Sequence, residues 1–289
     1  MKAPWQPSPP WPTVAIVGVG LIGGSVGLAV KARGLARRVI GIGRTPATLA
    51  TARDRGAVDE TTTDLAAGVA EADVVVAAAA VSAIPTLLDA IDAAARPRTL
   101  VTDAGSTKRS IVAAWERRRR SRRCRFVGAH PIAGSHRTGP GAADAGLFTG
   151  RVTVVTPATA TPEEDAREVG DFWSAVGSTV FVMAPRDHDR ILAATSHAPH
   201  LLAAALAAAT PADVTRFTAG GWRDSTRIAA GDPDLWADIL LDNAAEVTRA
   251  LARVRRITER MAVALEAGDR RAVVDILRRA KERRDALGS

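Results

Sequence analysis

Between residues 13 and 184 the chain alternates short apolar runs with longer stretches whose apolar residues recur every three or four positions. The runs TVAIVG (13–18), RVIGIG (38–43), ADVVVAAAA (72–80), TLVTDAG (99–105), RFV (125–127), RVTVVTP (151–157) and STVFVMAP (178–185) read as strands. The stretches between them predict helices to Gly34, over 46–55, near 64–70, over 84–95, after Ser106 or Thr107 as cap, and from Pro162 to about Val176. Strands and helices alternating at these lengths predict a doubly wound α/β domain with a parallel sheet.

Beyond residue 184 the pattern becomes helical. One helix is expected over 187–209, with Pro199 removing an amide from its ladder and freeing the carbonyl of Thr195. Asp232 and Pro233 mark another start. From there Leu235, Trp236, Ile239, Leu240, Val247, Leu251, Val254, Ile257, Met261 and Leu265 form an apolar stripe on one helix of about 50 Å that Gly268 stops. A last helix covers 269–286. A stripe that long in a domain this small predicts pairing with a second subunit. The expected organisation is a Pro-rich leader over 1–12 with five prolines, an α/β domain over 13–184 and a helical substrate and dimerisation domain over 185–289.

The first strand and helix are joined by GVGLIG (18–23). Here Gly18 permits a tight turn, Gly20 lets the backbone at Leu21 and Ile22 approach a pyrophosphate, and Gly23 lets helix and strand pack closely. The flanking elements make this a Rossmann-type dinucleotide site. The second strand ends in Gly43 and Arg44 where NAD enzymes usually carry a ribose-binding carboxylate, so NADP is favoured over NAD.

Composition narrows the picture further. Of 289 residues 47% are hydrophobic, and a net charge of +8 carried almost wholly by arginine suits anionic small molecules. The run RRRRSRRCR (117–125) lacks interleaved aromatics or a nucleic-acid motif and reads as a solvated face closing a helix. No signal peptide or unbroken membrane-spanning run is expected, and the single cysteine, Cys124, excludes an internal disulfide. A cytoplasmic protein with neither nucleic acid nor membrane as partner is the expectation.

The candidate chemistry centres on His130 in VGAHPIAGSH (127–136), where a strand is expected to break into a loop. An imidazole there can take a proton near neutral pH, just outside the carboxyl ends of the strands. SHAPH (196–200) puts His197 and His200 three residues apart, but no third metal ligand accompanies them.

Taken together, GVGLIGGS (18–25), TDAGSTK (102–108), GAHPIAGSH (128–136), SHAPH (196–200) and WRDSTRIAAGDPDLW (222–236) resemble the prephenate dehydrogenase family of tyrosine biosynthesis. The resemblance covers nearly all of the chain after the leader. It implies a nucleotide-binding domain paired with a helical dimerisation domain, and oxidative decarboxylation of prephenate or arogenate. It also implies that His130 accepts the hydroxyl proton, that Ser106 bonds the same hydroxyl and orients His130 beside the cofactor, and that Arg227 and His200 bind substrate in a cleft between domains. Ser135 and His136 join that substrate set. The position of His136 is a glutamate in some relatives, so substrate preference does not transfer directly. A 3-hydroxyacid dehydrogenase shares the plan but uses a lysine on its helical domain, and Lys2, Lys31, Lys108 and Lys281 all miss the first helices there.

Overall fold

The computed structural model of the protein describes residues 11–118, 121–134 and 137–287. Among these, eight strands form one sheet: β1 (Trp11–Val17), β2 (Ala36–Ile42), β3 (Glu60–Thr62), β4 (Val74–Ala77), β5 (Leu100–Asp103), β6 (Arg125–Pro131), β7 (Val152–Thr156) and β8 (Thr179–Val182). Their order is β3-β2-β1-β4-β5-β6-β7-β8, with the reversal between β1 and β4. Crossing the sheet are α1 (Leu21–Ala32), α2 (Pro46–Asp54), α3 (Leu65–Val69), α4 (Ile84–Ala94), α5 (Arg109–Glu116) and α6 (Glu163–Ala175). One face buries Ile16, Val26, Phe172 and Trp173, and the other buries Val75, Ile84, Leu88, Ile111 and Trp115. The helical part comprises α7 (Pro185–Leu192), α8 (Ala198–Ala209), α9 (Gly220–Thr226), α10 (Pro233–Asp242), α11 (Ala244–Glu266) and α12 (Arg270–Asp285). Helix α10 docks on the α/β domain: Ile239 joins the second core face, Ser82 Oγ donates to Asp238 at 2.6 Å, and Ser110 Oγ donates to Asp242 at 2.7 Å.

Several expectations are corrected. The sheet is not wholly parallel, because β6 and β7 are antiparallel from Gly128↔Thr156 to Pro131↔Thr153. Among its described residues the connection between them holds a 3-10 turn at Pro140–Ala142 and no crossover helix, and parallel pairing needs such a crossover. His130 therefore lies within a strand, opposite Val154, rather than in the loop after one. The first strand takes up Trp11 and Pro12 of the expected leader, since the Trp11 ring is buried edge-on against Phe172 at 5.2 Å.

The expected helix after Ser106 starts only at Arg109, and neither Ser106 nor Thr107 caps it. Its cap is the carboxylate of Asp189 on α7, which accepts from the amides of Lys108 at 2.8 Å and Arg109 at 2.9 Å. The arginine run lies beyond that helix and is not uniformly solvated. Arg122 stacks on Trp115 at 4.3 Å and pairs with Asp89, while Arg125 pairs with Asp165 and Glu168.

The single long helix expected from Pro233 is two, broken at Asn243, whose side-chain amide donates to the Asp189 carbonyl at 2.8 Å. Asp232 caps the first of them through the amides of Asp234 and Leu235. Helices α7 and α8 run on through a π turn at Ala193–His197, just before Pro199, whose missing amide loosens the ladder there. This Pro185–Ala209 stretch of 25 residues reaches the length and apolar content of a membrane-crossing helix, a test that the core helix of a folded domain also passes, and the π turn and Pro199 interrupt it. Ser135 and His136 lie outside the described residues.

Candidate active site

The carboxyl ends of β1, β2, β5 and the first part of β6 lie along one edge of the sheet, and Gly18, Arg44, Ser106 and His130 follow from them. Gly18 has φ +96°, and a Cβ there would meet the Ala78 carbonyl oxygen at 2.2 Å. At Gly23 a Cβ would meet the Gly18 carbonyl oxygen at 1.9 Å, so helix and turn touch backbone to backbone. By contrast, nothing lies within 4 Å of a Cβ at Gly20, which is the N-cap of α1 and offers no side-chain cap to the amides that follow, at Leu21 and Ile22. An open floor facing uncapped amides at the positive end of a helix fits a pyrophosphate. Arg44 is exposed beside this cradle, in the loop between β2 and α2.

His130 is buried, and its Nδ1 lies 2.8 Å from Nε2 of His188 on α7. His188 Nδ1 lies in turn 2.7 Å from Asp189 Oδ1, the carboxylate that caps α5. No hydrogen bond among the described residues engages His130 Nε2 or joins the ring to Ser106, and its Nδ1 contact is with His188. Burial, with His188, Lys108 and His197 adding to it, pushes His130 well below the ordinary imidazole range, so it is neutral at pH 7. Burial alone would raise Asp189, but the bonds from His188 and the two amides outweigh it and hold the carboxyl below its usual range.

Beneath this chain, Lys108 and Asp103 form an ion pair with neither side chain exposed. Lys108 Nζ donates to the Ala129 carbonyl at 2.8 Å, and the Ala129 amide donates to Asp103 at 3.0 Å. Both backbone groups of the residue before His130 are thereby fixed to the end of β5. Ser106 lies half-buried in the same loop.

The helical domain carries the remaining candidate residues. His200 stacks on Trp236 with ring centroids 3.6 Å apart and planes 12° from parallel, and its buried Nδ1 has no hydrogen-bond partner among the described residues. The 3-10 turn Arg227–Ala230 packs against α8, and Arg227 on it is exposed, making no ion pair with Asp224 or Asp232. His197 is turned away: its Nδ1 lies 3.2 Å from the Asn243 amide, and burial pushes it down to about 4. Among the described residues no cluster of three His, Cys, Asp or Glu side chains could hold a metal.

His188, Asp189, Asn243 and the Lys108–Asp103 pair are not among the residues that the sequence motifs single out. A signal for the last existed, since Asp103 and Lys108 are the second and last residues of the TDAGSTK motif. DHDR (187–190) carried a second, three charged residues and a histidine at the start of an otherwise apolar helix.

Residues 26–182 match the nucleotide-binding domain of prephenate dehydrogenase and residues 184–279 its dimerization domain. The chain is 33% identical over 282 residues to a prephenate dehydrogenase of Bacillus subtilis, covering 95% of this chain and 76% of that protein. It is 32% identical to a cyclohexadienyl dehydrogenase of Zymomonas mobilis, covering 89% and 90% respectively. The crystal structure of prephenate dehydrogenase from A. aeolicus in complex with hydroxyphenyl propionate and NAD+ superposes with a TM-score of 0.87 at 29% identity, covering 96% of this chain and 98% of that one.

Proposed function

Because the chain belongs to the prephenate dehydrogenase family, we propose that it carries out the NADP-linked oxidative decarboxylation of prephenate to 4-hydroxyphenylpyruvate, a step of tyrosine biosynthesis. The observation that carries this reading is His130, a buried neutral imidazole whose Nδ1 faces His188 and whose Nε2 meets no hydrogen-bond partner among the described residues. Oxidising the ring carbinol requires its hydroxyl proton to leave, and His130 Nε2 takes it. The bound nicotinamide supplies the hydride acceptor, and the glycine cradle with the amides at Leu21 and Ile22 holds its pyrophosphate. Loss of the ring carboxylate as carbon dioxide sends its bonding pair into the ring, and the phenol oxygen that results recovers the proton from His130.

Ser106 donates to or accepts from the same hydroxyl, while Arg227 grips a substrate carboxylate bidentately and His200 lines the cleft, held flat by Trp236. Ser135 and His136 complete the set, and a histidine rather than a carboxylate at 136 favours the keto acid prephenate over the ammonium-bearing arogenate. Arg44 favours NADP by facing a 2′-phosphate. A homodimer through the helical domain covers side chains such as Val263 (65% exposed), Leu265 (64%) and Leu277 (54%) on α11 and α12. One buried free cysteine, Cys124, suits a reducing cytoplasm.

Purified protein incubated with prephenate or arogenate and each nicotinamide cofactor tests the reading by the rise in reduced-cofactor absorbance. Prephenate with NADP is expected to give the highest kcat/KM. A preference for arogenate overturns the substrate assignment, and no turnover with either overturns the function.

A further inference from the structure

We propose that His188 and Asp189 are positioning residues for proton transfer, holding His130 in the one tautomer whose Nε2 can accept a proton from a substrate hydroxyl. The inference rests on the reading of His130 as general base and assigns the groups that make it one.

Asp189, His188 and His130 form a chain of hydrogen bonds in which each link decides the next. Asp189 receives the Lys108 amide on Oδ1 at 2.8 Å and the Arg109 amide on Oδ2 at 2.9 Å. A carboxyl group whose two oxygens both face fixed amide donors is an ionised, acceptor-only group. His188 Nδ1, 2.7 Å from Oδ1, therefore carries a hydrogen. Burial keeps the fully enclosed His188 below its ordinary pKa despite the neighbouring carboxylate, so the ring is neutral and its Nε2 bears a lone pair. That lone pair faces His130 Nδ1 at 2.8 Å, which places the His130 hydrogen on Nδ1 and leaves Nε2 as the basic nitrogen.

Once His130 has taken the substrate proton, its Nδ1–H still points at His188, whose own Nδ1–H points at the Asp189 carboxylate. The positive charge is thus met by a negative one through two aligned donors. The other charged or titratable groups facing these rings are Lys108 and His197 around His130, and Lys108 and Asp103 around His188. Lys108 is already paired with Asp103, which leaves Asp189 as the carboxylate serving the chain. Asp189 is anchored on the α/β domain by Lys108 and Arg109 and on the helical domain by Asn243, so its position is determined from both sides.

The test compares His188→Gln, His188→Leu and Asp189→Asn with His130→Asn, measuring kcat, KM, NADP affinity and the pH profile of kcat/KM. Glutamine can present an oxygen to His130 Nδ1, whereas leucine fills the space with no acceptor. His188→Leu is expected to lower kcat on the order of 10²-fold with NADP affinity unchanged, below the roughly 10⁴-fold effect of a wrong tautomer in a serine-hydrolase triad. His188→Gln should recover about tenfold of that loss. Asp189→Asn must turn its NH₂ toward an amide donor at Lys108 or Arg109, and it removes the negative charge. The acid limb of its kcat/KM profile should therefore move to lower pH, as should that of His188→Leu, because the His130 imidazolium loses its stabilisation. Full turnover in His188→Leu overturns the proposal. So does a loss that glutamine fails to relieve, with the acid limb unmoved, since that pattern belongs to packing alone. Normal turnover in His130→Asn defeats instead the reading of His130 as base; an inactive His130→Asn beside an unaffected His188→Leu defeats only the positioning assignment.

Discussion

Lys108 and Asp103 form an ion pair with no exposed side-chain surface, and each partner directs a further hydrogen bond to Ala129, the residue before His130. Removing one member strands the other charge in the core. Lys108→Met is therefore expected to lower unfolding stability by about 3–5 kcal/mol, and the double variant Lys108→Met with Asp103→Leu by less than the two single losses added together. Urea denaturation of the three variants measures both; additive losses would show that the two side chains act independently.

His130→Asn should retain fold and cofactor affinity while kcat falls on the order of 10²–10⁴-fold, the usual contribution of general-base assistance. Steady-state kinetics alongside cofactor titration checks it, and near-normal turnover removes His130 from the chemistry.

Arg227 is exposed and makes no ion pair with Asp224 or Asp232, so Arg227→Ala disturbs no salt bridge to them. Its expected effect is a raised KM for prephenate with the melting temperature held, because a charge-assisted carboxylate contact is lost both before and during reaction. An unchanged KM would refute the contact.

Arg44→Ala should weaken NADP while leaving NAD nearly untouched, since only NADP carries the phosphate assigned to that side chain. Equal losses for both cofactors, or a wild type that prefers NAD, would contradict the assignment.

Three buried histidines, His130, His188 and His197, all have folded-state pKa values below that of an unfolded-chain imidazole, each chiefly through burial. The unfolded chain therefore binds more protons than the folded one once the pH falls below about 6.5, and stability declines with falling pH. The decline should span the interval from there to about 4, where His197 itself titrates. Melting temperatures across this window should fall, and His197→Gln should make the slope shallower; an unchanged slope would mean that His197 has no part in it.

What the sequence made legible was local. The GVGLIG turn, the Asp232 cap and the strand runs each declare themselves within a few residues, because backbone conformation and amphipathic period are short-range properties. The antiparallel turn of β6 was hidden, since RFV and RVTVV read alike in either direction and only the helix-poor stretch between them distinguishes the cases. His130 and His200 could be picked out from their motifs, but the group that orients His130 could not. His188 stands 58 residues away, and Asp189 meets Lys108 across 81. Such contacts arise only when two domains close on each other, and no spacing along the chain encodes them.

Asp189 has one further consequence, for recombination. The chain passes from strands to helices near residue 184, the natural crossover for exchanging the two halves between relatives, yet the groups that meet at Asp189 lie on both sides of it: the amides of 108 and 109 before, the Asn243 side chain after. A hybrid spliced there inherits a cap for α5 from one parent and the helix to be capped from the other. Grafts that carry residues 103–109 together with 185–243 keep the matching parts in one piece, and these residues, rather than the domain, are the unit that can be transplanted.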